Sequence, residues 1–370
     1  MKNNTLVLID WIAGLVIAPA IIIVKLIKKL AVNFYQSHRQ GRLIIKFLGA
    51  GNYVAMSDVI DSNTTLISAL SNKSAIEHFL KPQEVFYIDD SNFFSLVSNS
   101  FGAIFFVLKG SFHEVINLET ESKFSKLLAT LARSELTLGL TNAHKSYLDA
   151  LIYDQYLVNP MMLSKSDSIR VLTHFDLVSN EYGLAAIEKS QSDFLNHVRF
   201  KGGIKRIVFA PTGSDTNKLR RLGADIWKKV ADRILLQFPD TTFDLIFPNN
   251  TDWQYESIHS ILGADPCFSV RIGGYGQYLE WLAKADLVVC IDSQTLHIAS
   301  KLETPVICFF GPTSPYGVNH SKNVYPISRA AMCSPCMHKY FSTPCADRAI
   351  CMNFNDSDLQ IFNRLGELCI

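Results

Sequence analysis

Asp292, Ser293 and His297 stand together in the stretch AKADLVVCIDSQTLHIASKLETPVICFFGPTSP, residues 283–315, and all three can bind oxyanions or sugar hydroxyls. A helix opening just after Asp292-Ser293 offers free backbone N–H groups and the positive end of its dipole, which suits a phosphate. Ser293 adds a hydroxyl donor. Ionised Asp292 repels phosphate, so its partner is a sugar or ribose hydroxyl. His297, one helical turn on, reaches the same ligand. The plainer alternative is a capped helix carrying a packed histidine. A second anion site is expected in PTGSDTNKLRR, residues 211–221, where Thr212, Ser214, a glycine and three cations follow an apolar run. Lys218 suits a point charge on phosphate, against the alternative of a polar loop and a basic helix face. A third set is Cys333, Cys336, Cys345 and Cys351, spaced C-x2-C-x8-C-x5-C. Four thiolates close a tetrahedral site for a structural zinc or iron, with two disulfides or free thiols as the alternative. A saturated site has no open position, so it carries no catalytic role.

These residues need strands and helices to position them. Leu287–Ile291 and Val306–Phe310 have the length and β-branched content of buried strands. Between them Ile298, Ala299 and Leu302 mark one face of a short helix. The unit is βαβ, with polar residues at the carboxyl ends of its strands, where open α/β sheets bind ligands. Near the start, Arg42–Phe47 reads as a strand running into the glycine-rich Leu48-Gly49-Ala50-Gly51-Asn52, where glycines allow close approach by a ligand. Further strands are expected at Val85–Ile88, Ala103–Val107, Glu114–Leu118, Leu136–Leu140, Arg206–Ala210 and Asp244–Phe247. Helices are expected at Leu127–Leu131 and Leu279–Leu282. The polar segment 190–203 ends on Gly202-Gly203 and reads as the linker between domains at 41–190 and 200–360. The alternation predicts an α/β protein with parallel sheets.

The chain has 370 residues, 48% of them apolar, and a formal charge of +1. That bounds a globular protein of two domains and gives no electrostatic footprint for nucleic acid. All eight cysteines lie at or beyond Cys267. A secreted disulfide framework would not spare two thirds of a chain, so the compartment reads as reducing. Residues 1–40 form a separate segment. Its uncharged core, Trp11–Val24, is shorter than a spanning helix needs, and Lys25, Lys28 and Lys29 follow directly. A monotopic anchor on the cytoplasmic face fits best, lysines at anionic headgroups. A single spanning helix and a helix buried on the protein are the alternatives.

The block DLVVCIDSQTLHIASKLETPVICFFGPTSP resembles the signature of glycosyltransferase family 9, the heptosyltransferase-like enzymes of bacterial surface glycan assembly. Gln294 departs from it, standing where the family usually has glycine. The family's loop G-x-x-G-D, whose Asp is the usual candidate base, matches the glycine-rich loop, but Asn52 replaces the Asp and an amide takes no proton. The run Glu114–Ser125 resembles a stretch of the membrane-anchored branch and puts Glu119 and Glu121 at a strand end. Either is a candidate base if burial raises its pKa toward the operating pH. Lys218 falls on the family's donor-phosphate lysine, Glu256 on a donor-binding Glu, and His174 in an acceptor-side stretch. A similar cysteine run, here ending Cys351-Met352, occurs in some members.

The resemblance implies the GT-B fold: two Rossmann-like, doubly wound domains facing across a cleft. Donor binding then belongs to the C-terminal domain, through Thr212, Ser214, Lys218, Glu256, Asp292, Ser293 and His297. Gly51, Asn52 and His174 belong to the acceptor side. It implies transfer of a sugar, heptose or related, from a nucleotide diphosphate sugar to a lipid-linked, lipopolysaccharide-type or other surface glycan, without a catalytic metal, at the cytoplasmic face of the bacterial inner membrane. A nucleotide-sugar-binding or scaffold homologue and a sugar-nucleotide epimerase are the alternatives.

Overall fold

The computed structural model describes residues 19–24, 41–141, 147–158, 168–169, 172–173, 184–213, 218–249, 251–252, 254–263, 265–315, 321–329, 334–336, 345 and 348–370. The chain forms two compact units, Met1–Ser179 and Asn180–Ile370.

In the first unit the elements run β1 (Arg42–Ile45), α1 (Ala50–Ala55), β2 (Thr64–Ala69), α2 (Lys73–Phe79), β3 (Glu84–Ile88), α3 (Phe93–Lys109), β4 (Ser111–Asn117), α4 (Lys123–Leu131), β5 (Arg133–Thr141), α5 (Tyr147–Ile152) and β6 (Gln155–Val158). The strands pair in parallel in the order β3-β2-β1-β4-β5-β6. Along β1 the side chains alternate between faces. Leu43 and Ile45 join one apolar cluster with Ile67, Val115 and Val107, while Ile44 joins Leu66, Ile116 and Tyr53 in the other. Both faces are covered, which is why parallel strands read as unbroken apolar runs. A helical turn at 19–24 adds Ile21 to the first cluster, with Ile22 and Ile23 exposed. No helix among the described residues is long and apolar enough to cross a membrane.

The second unit runs α6 (Leu184–His197), β7 (Arg206–Ala210), α7 (Ala224–Gln237), β8 (Thr242–Ile246), α8 (Tyr255–Leu262), β9 (Phe268–Arg271), α9 (Tyr275–Ala283), β10 (Leu287–Ile291), α10 (Gln294–Lys301), β11 (Val306–Phe310) and β12 (Val324–Ser328). Its sheet is again all parallel, in the order β12-β11-β10-β7-β8-β9. Trp227 of α7 packs on Phe209 and Phe309 of the sheet at ring distances of 5.1 and 6.2 Å. Short 3₁₀ turns at Gln360–Asn363 and Leu365–Leu368 close the unit, burying Ile361, Phe362 and Leu365 against that core.

Three expectations are corrected. Ala103–Val107 is not a strand but the last third of α3. Asn92 caps that helix, its side chain accepting from Ser95 N at 2.9 Å, and an apolar run of five residues cannot separate the two states by itself. Residues 190–203 are not a linker. Half of that segment is α6, which packs on β12 and sends Gln191 to the Pro326 carbonyl at 2.8 Å. Its polarity is that of a helix with a solvent face. The second unit also runs past residue 360 to the end of the chain. Each unit has the doubly wound order, and its direction reverses between β1 and β4, and between β7 and β10. Ligands bind beyond the strand ends at such switch points.

Candidate functional site

In the second unit, β7 ends in Pro211-Thr212-Gly213 and β10 in Asp292-Ser293. Gly213 lies flat against the latter: a Cβ there would sit 3.6 Å from Ser293 Cβ and 3.6 Å from Ile291 Cδ1. The 3₁₀ turn Lys218–Arg220 follows. Arg220 Nη1 donates to the Asp292 carbonyl at 2.9 Å and lies 3.4 Å from its carboxylate. Arg221 is the strut beneath. Its Nη1 is 2.7 Å from Asp252 Oδ1, with both side chains about 1% exposed, and its Nη2 reaches the Gly213 carbonyl at 3.4 Å. Asp252 Oδ1 also accepts from Gln254 N at 2.9 Å, and Gln254 Nε2 donates to the Leu222 carbonyl at 2.7 Å. The loops after β7 and β8 are thereby one polar assembly.

Ser293 is the N-cap of α10, extended at φ −153°, yet its side chain makes no capping bond. Its Oγ is buried without a partner among the described residues, as are Thr313 Oγ1 beyond β11 and Arg220 Nε. A buried polar group left unpaired costs about 1–3 kcal/mol. Three donors in that state at the ends of neighbouring strands, beside a helix N-terminus, are the arrangement that an oxyanion could satisfy. Burial pushes the His297 imidazole below its ordinary range; Asp292 opposes the shift and Arg220 adds to it. The shift favours the neutral imidazole near pH 7, a form that can donate to or accept from a hydroxyl. Gln294, the departure from glycine, donates to Tyr275 Oη at 2.7 Å, and Tyr278 Oη lies 2.7 Å from Thr295 Oγ1. These two bonds tie α9 to the first turn of α10.

Among the expected donor residues, the structure brings Thr212, Asp292, Ser293 and His297 to this edge. Glu256 is exposed in the first turn of α8, two residues beyond Gln254. Ser214 and the side chain of Lys218 lie outside the described residues, as do His174 and Cys333. Sequence reading missed Asp252, Gln254, Tyr275 and Thr313, and took Arg220 and Arg221 for generic cations. Only the dense polar spacing from 248 to 256 pointed to the first two.

In the first unit the corresponding edge is closed on itself. Glu119, beyond β4, accepts from Lys46 Nζ at 2.6 Å, Phe47 N at 2.8 Å and Leu48 N at 3.2 Å. Asn72 Nδ2 donates to the Phe47 carbonyl at 2.6 Å. Tyr53 donates to the Lys46 carbonyl and lies 2.8 Å from Ser68 Oγ. Gly49 bends the loop at φ 92°, and a Cβ there would collide with the Asn52 amide. Asn52 and Gly51 are half-buried beside it. The expectation that burial lifts Glu119 toward neutral pH is corrected. Burial does raise it, but the Lys46 charge and the two amides outweigh burial and hold the carboxyl below its usual range. Glu121 is exposed, two residues further on.

Of the cysteine set, Cys336, Cys345 and Cys351 are buried. Cys336 N donates to the Pro312 carbonyl at 3.1 Å, and a Cβ at Gly311 would lie 3.1 Å from Cys351 Sγ. Both cysteines therefore adjoin the turn that carries Thr313. Among the described residues no group of three or more His, Cys, Asp or Glu side chains is placed to hold a metal ion.

Residues 107–346 match the family described as glycosyltransferase family 9 (heptosyltransferase). Solved structures of similar fold include the E. coli heptosyltransferase WaaC with ADP, at 14% identity and TM-score 0.55, covering 77% of this chain and 92% of that one. A family 9 glycosyl transferase from Veillonella parvula has the same identity and TM-score over 78% of this chain and 85% of its own. The E. coli ADP-heptose lps heptosyltransferase II is 14% identical at TM-score 0.53, over 78% and 90%. No curated protein sequence matches the chain.

Proposed function

Because the chain belongs to glycosyltransferase family 9, the heptosyltransferase family, we propose that it transfers a sugar, heptose or related, from a nucleoside diphosphate sugar to a hydroxyl of a lipid-linked or surface glycan of the lipopolysaccharide type. The observation that carries this is the trio of polar atoms without partners among the described residues, on Arg220 and Ser293 at the β7–β10 switch point and on Thr313 beyond the neighbouring β11. In transfer, the acceptor oxygen forms a bond to the anomeric carbon and gives up its proton. The bond from that carbon to the phosphate oxygen breaks, and its electron pair leaves with the diphosphate. The developing charge falls to Arg220, Ser293, Thr313 and the N–H groups opening α10, held in place before the reaction, and to the Lys218 charge. Asp292 and neutral His297 take sugar or ribose hydroxyls. ADP in the E. coli WaaC structure supports an adenine nucleotide as the first donor to try.

Of the two candidate bases, Glu119 is committed to Lys46 and two amides. Glu121 makes no hydrogen bond among the described residues and is the carboxylate left free to take the proton, from an exposed position and not the buried one first asked of a base. Residues 1–30 hold the protein on the cytoplasmic leaflet through apolar burial and the lysines at 25, 28 and 29.

Calorimetric titration with nucleoside diphosphates tests the donor site. Lys218→Ala should weaken binding by ~1.5–3 kcal/mol, the range for a hydrogen bond to a charged group; unchanged affinity removes Lys218 from the site. A second reading, a nucleotide-sugar-binding homologue without transfer, is favoured by Asn52 and by the pairing of Glu119. Acceptor-dependent release of nucleoside diphosphate decides for the transferase. Binding without release decides for the homologue.

A further inference from the structure

Helix α3 has its chemistry inside out. Ala103 and Val107 are buried in the first unit's core, with Leu96, Ile104 and Phe106 packed against it. The opposite face should be polar. Instead Phe94 is 84% exposed, Phe101 60% and Phe105 62%, with Val97 and Leu108 also exposed. Positions 94, 97, 101, 105 and 108 recur at helical spacing, so these side chains form one stripe. Phe93 adds a further exposed ring 5.9 Å from that of Phe94. The helix contains no charged residue before Lys109, at its end. Polar side chains occur only at Ser95, Ser98, Asn99 and Ser100, between the rings of the stripe; an uncharged helix with apolar side chains on its outer face belongs in a core or against lipid, and no helix among the described residues is long and apolar enough to span.

We propose that this stripe is a membrane-docking surface on which α3 lies in the plane of an anionic bilayer, its phenylalanines in the acyl boundary. Two observations select lipid over a protein partner. The helical turn at 19–24 shares the core of α3 through Ile21 and leaves Ile22 and Ile23 exposed. A second apolar surface thus rises from the same packed cluster. Cations border both apolar stretches in the sequence: Lys25, Lys28 and Lys29 follow the run that holds Ile21–Ile23, and Lys109 ends the stripe. Apolar area bordered by lysines is the pattern of interfacial binding. The inference rests on the reading that the protein works at a membrane, and it adds α3 to the contact already given to residues 1–30. One chemical consequence follows for the proposed reaction. A lipid-linked acceptor is confined to the surface that α3 grips, so docking raises its local concentration without any added contact to the sugar.

Flotation of the full chain with vesicles tests this, using phosphatidylcholine alone and phosphatidylcholine with phosphatidylglycerol. The variant Phe94→Ser/Phe101→Ser/Phe105→Ser should lose about tenfold or more in partition onto the anionic vesicles, because insertion scales with buried apolar area. The matching triple Phe→Leu variant should keep most of it. Both should melt like the wild type and bind nucleoside diphosphate unchanged, since the altered side chains are exposed. If the Ser variant floats like the wild type, α3 is not the docking surface, and the membrane reading stands on residues 1–30 alone. If the wild type does not float at all, both fall. If light scattering shows a wild-type dimer that the Ser variant loses while flotation is unchanged, the stripe is a contact between copies and the proposal is overturned.

Discussion

The two units share one topology and treat its switch point in opposite ways. At the β1–β4 edge the buried polar groups named above are paired within the unit: Glu119 with Lys46 and two amides, Asn72 with Phe47, Tyr53 with Lys46 and Ser68. Deeper in the same unit Asn117 Nδ2 donates to Tyr153 Oη at 2.8 Å and Ser125 Oγ at 3.0 Å. At the β7–β10 edge and the neighbouring end of β11, Ser293, Arg220 and Thr313 leave buried atoms without partners among the described residues. A satisfied edge is rigid and gains little from a small polar ligand. An unsatisfied edge carries a destabilisation that a ligand removes on binding. The same fold therefore closes its edge in one unit and, on the function proposed above, offers it to an anion in the other. What the first unit exposes instead is apolar, on α3.

The comparison breaks most sharply at Arg221 and Asp252, the pair that holds the open edge in shape. Asp252→Ala leaves a buried guanidinium uncompensated, and the loss of stability should be ~3–5 kcal/mol. Chemical denaturation measures it. A loss under ~1 kcal/mol means that water reaches Arg221 and the edge is not preorganised.

The closed edge answers to Glu119→Gln. The amide keeps one acceptor for Phe47 and Leu48 but strands the Lys46 charge, so the cost should be ~2–3 kcal/mol near pH 7. The sign with pH is fixed. Glu119 sits below its usual pKa in the folded protein, so its contribution is present above the unfolded value of ~4.3 and fades as pH falls through the lower folded value. Denaturation curves of wild type and variant should converge on the acid side. Nucleoside diphosphate affinity should not change. A fall in that affinity would mean that the two edges are not independent.

How much of this was legible in the sequence follows from where the signals live. β7, β10 and β11 have the bounds expected of them, because parallel strands buried on both faces are continuous apolar runs ended by polar residues. α3 defeated the same rule for the same reason: its exposed side is apolar too, so 103–107 has no polar phase to reveal a helical period. α6 was hidden by the reverse effect, its polar face reading as linker. Asp292, Ser293 and His297 could be named because one strand and one helix carry them. The Arg221–Asp252 pair could not, since 31 positions separate its members in sequence and only the return of the loop after β8 joins them. The fate of Glu119 was likewise set by Lys46, 73 positions away.

Arg220 separates binding from scaffolding within the open edge. Its Nη1 already serves Asp292, and its Nε is the unpartnered atom. Arg220→Ala should weaken nucleoside diphosphate binding by ~1.5–3 kcal/mol, the range for a charge-assisted hydrogen bond. Arg220→Lys should recover only part of it, because an ammonium cannot hold Asp292 and present a second fixed N–H. Full recovery by Lys would reduce the role of Arg220 to charge alone.

The smallest effect is the most discriminating, because its two parts have opposite signs. Ser293 stands at the N-cap of α10, and a capping serine replaced by alanine ordinarily costs a helix ~0.5–2 kcal/mol. That cost comes from the bond between the side-chain oxygen and the helix amides, which Ser293 does not make. Its hydroxyl is instead buried and idle in the free protein, and removing an unsatisfied buried group relieves strain. Ser293→Ala should therefore leave the melting temperature of the free protein unchanged or slightly raised, while weakening nucleoside diphosphate binding by ~1 kcal/mol, the net worth of one hydrogen bond. Thr313→Val, which keeps the shape of the side chain and removes only its hydroxyl, should behave the same way. A lower melting temperature with unchanged affinity in both variants would show that these hydroxyls serve the fold, and the contrast between the closed and the open edge would lose its functional meaning. Stability gained in the free protein and lost in the complex, at the same atom, is the mark of a group kept for its ligand.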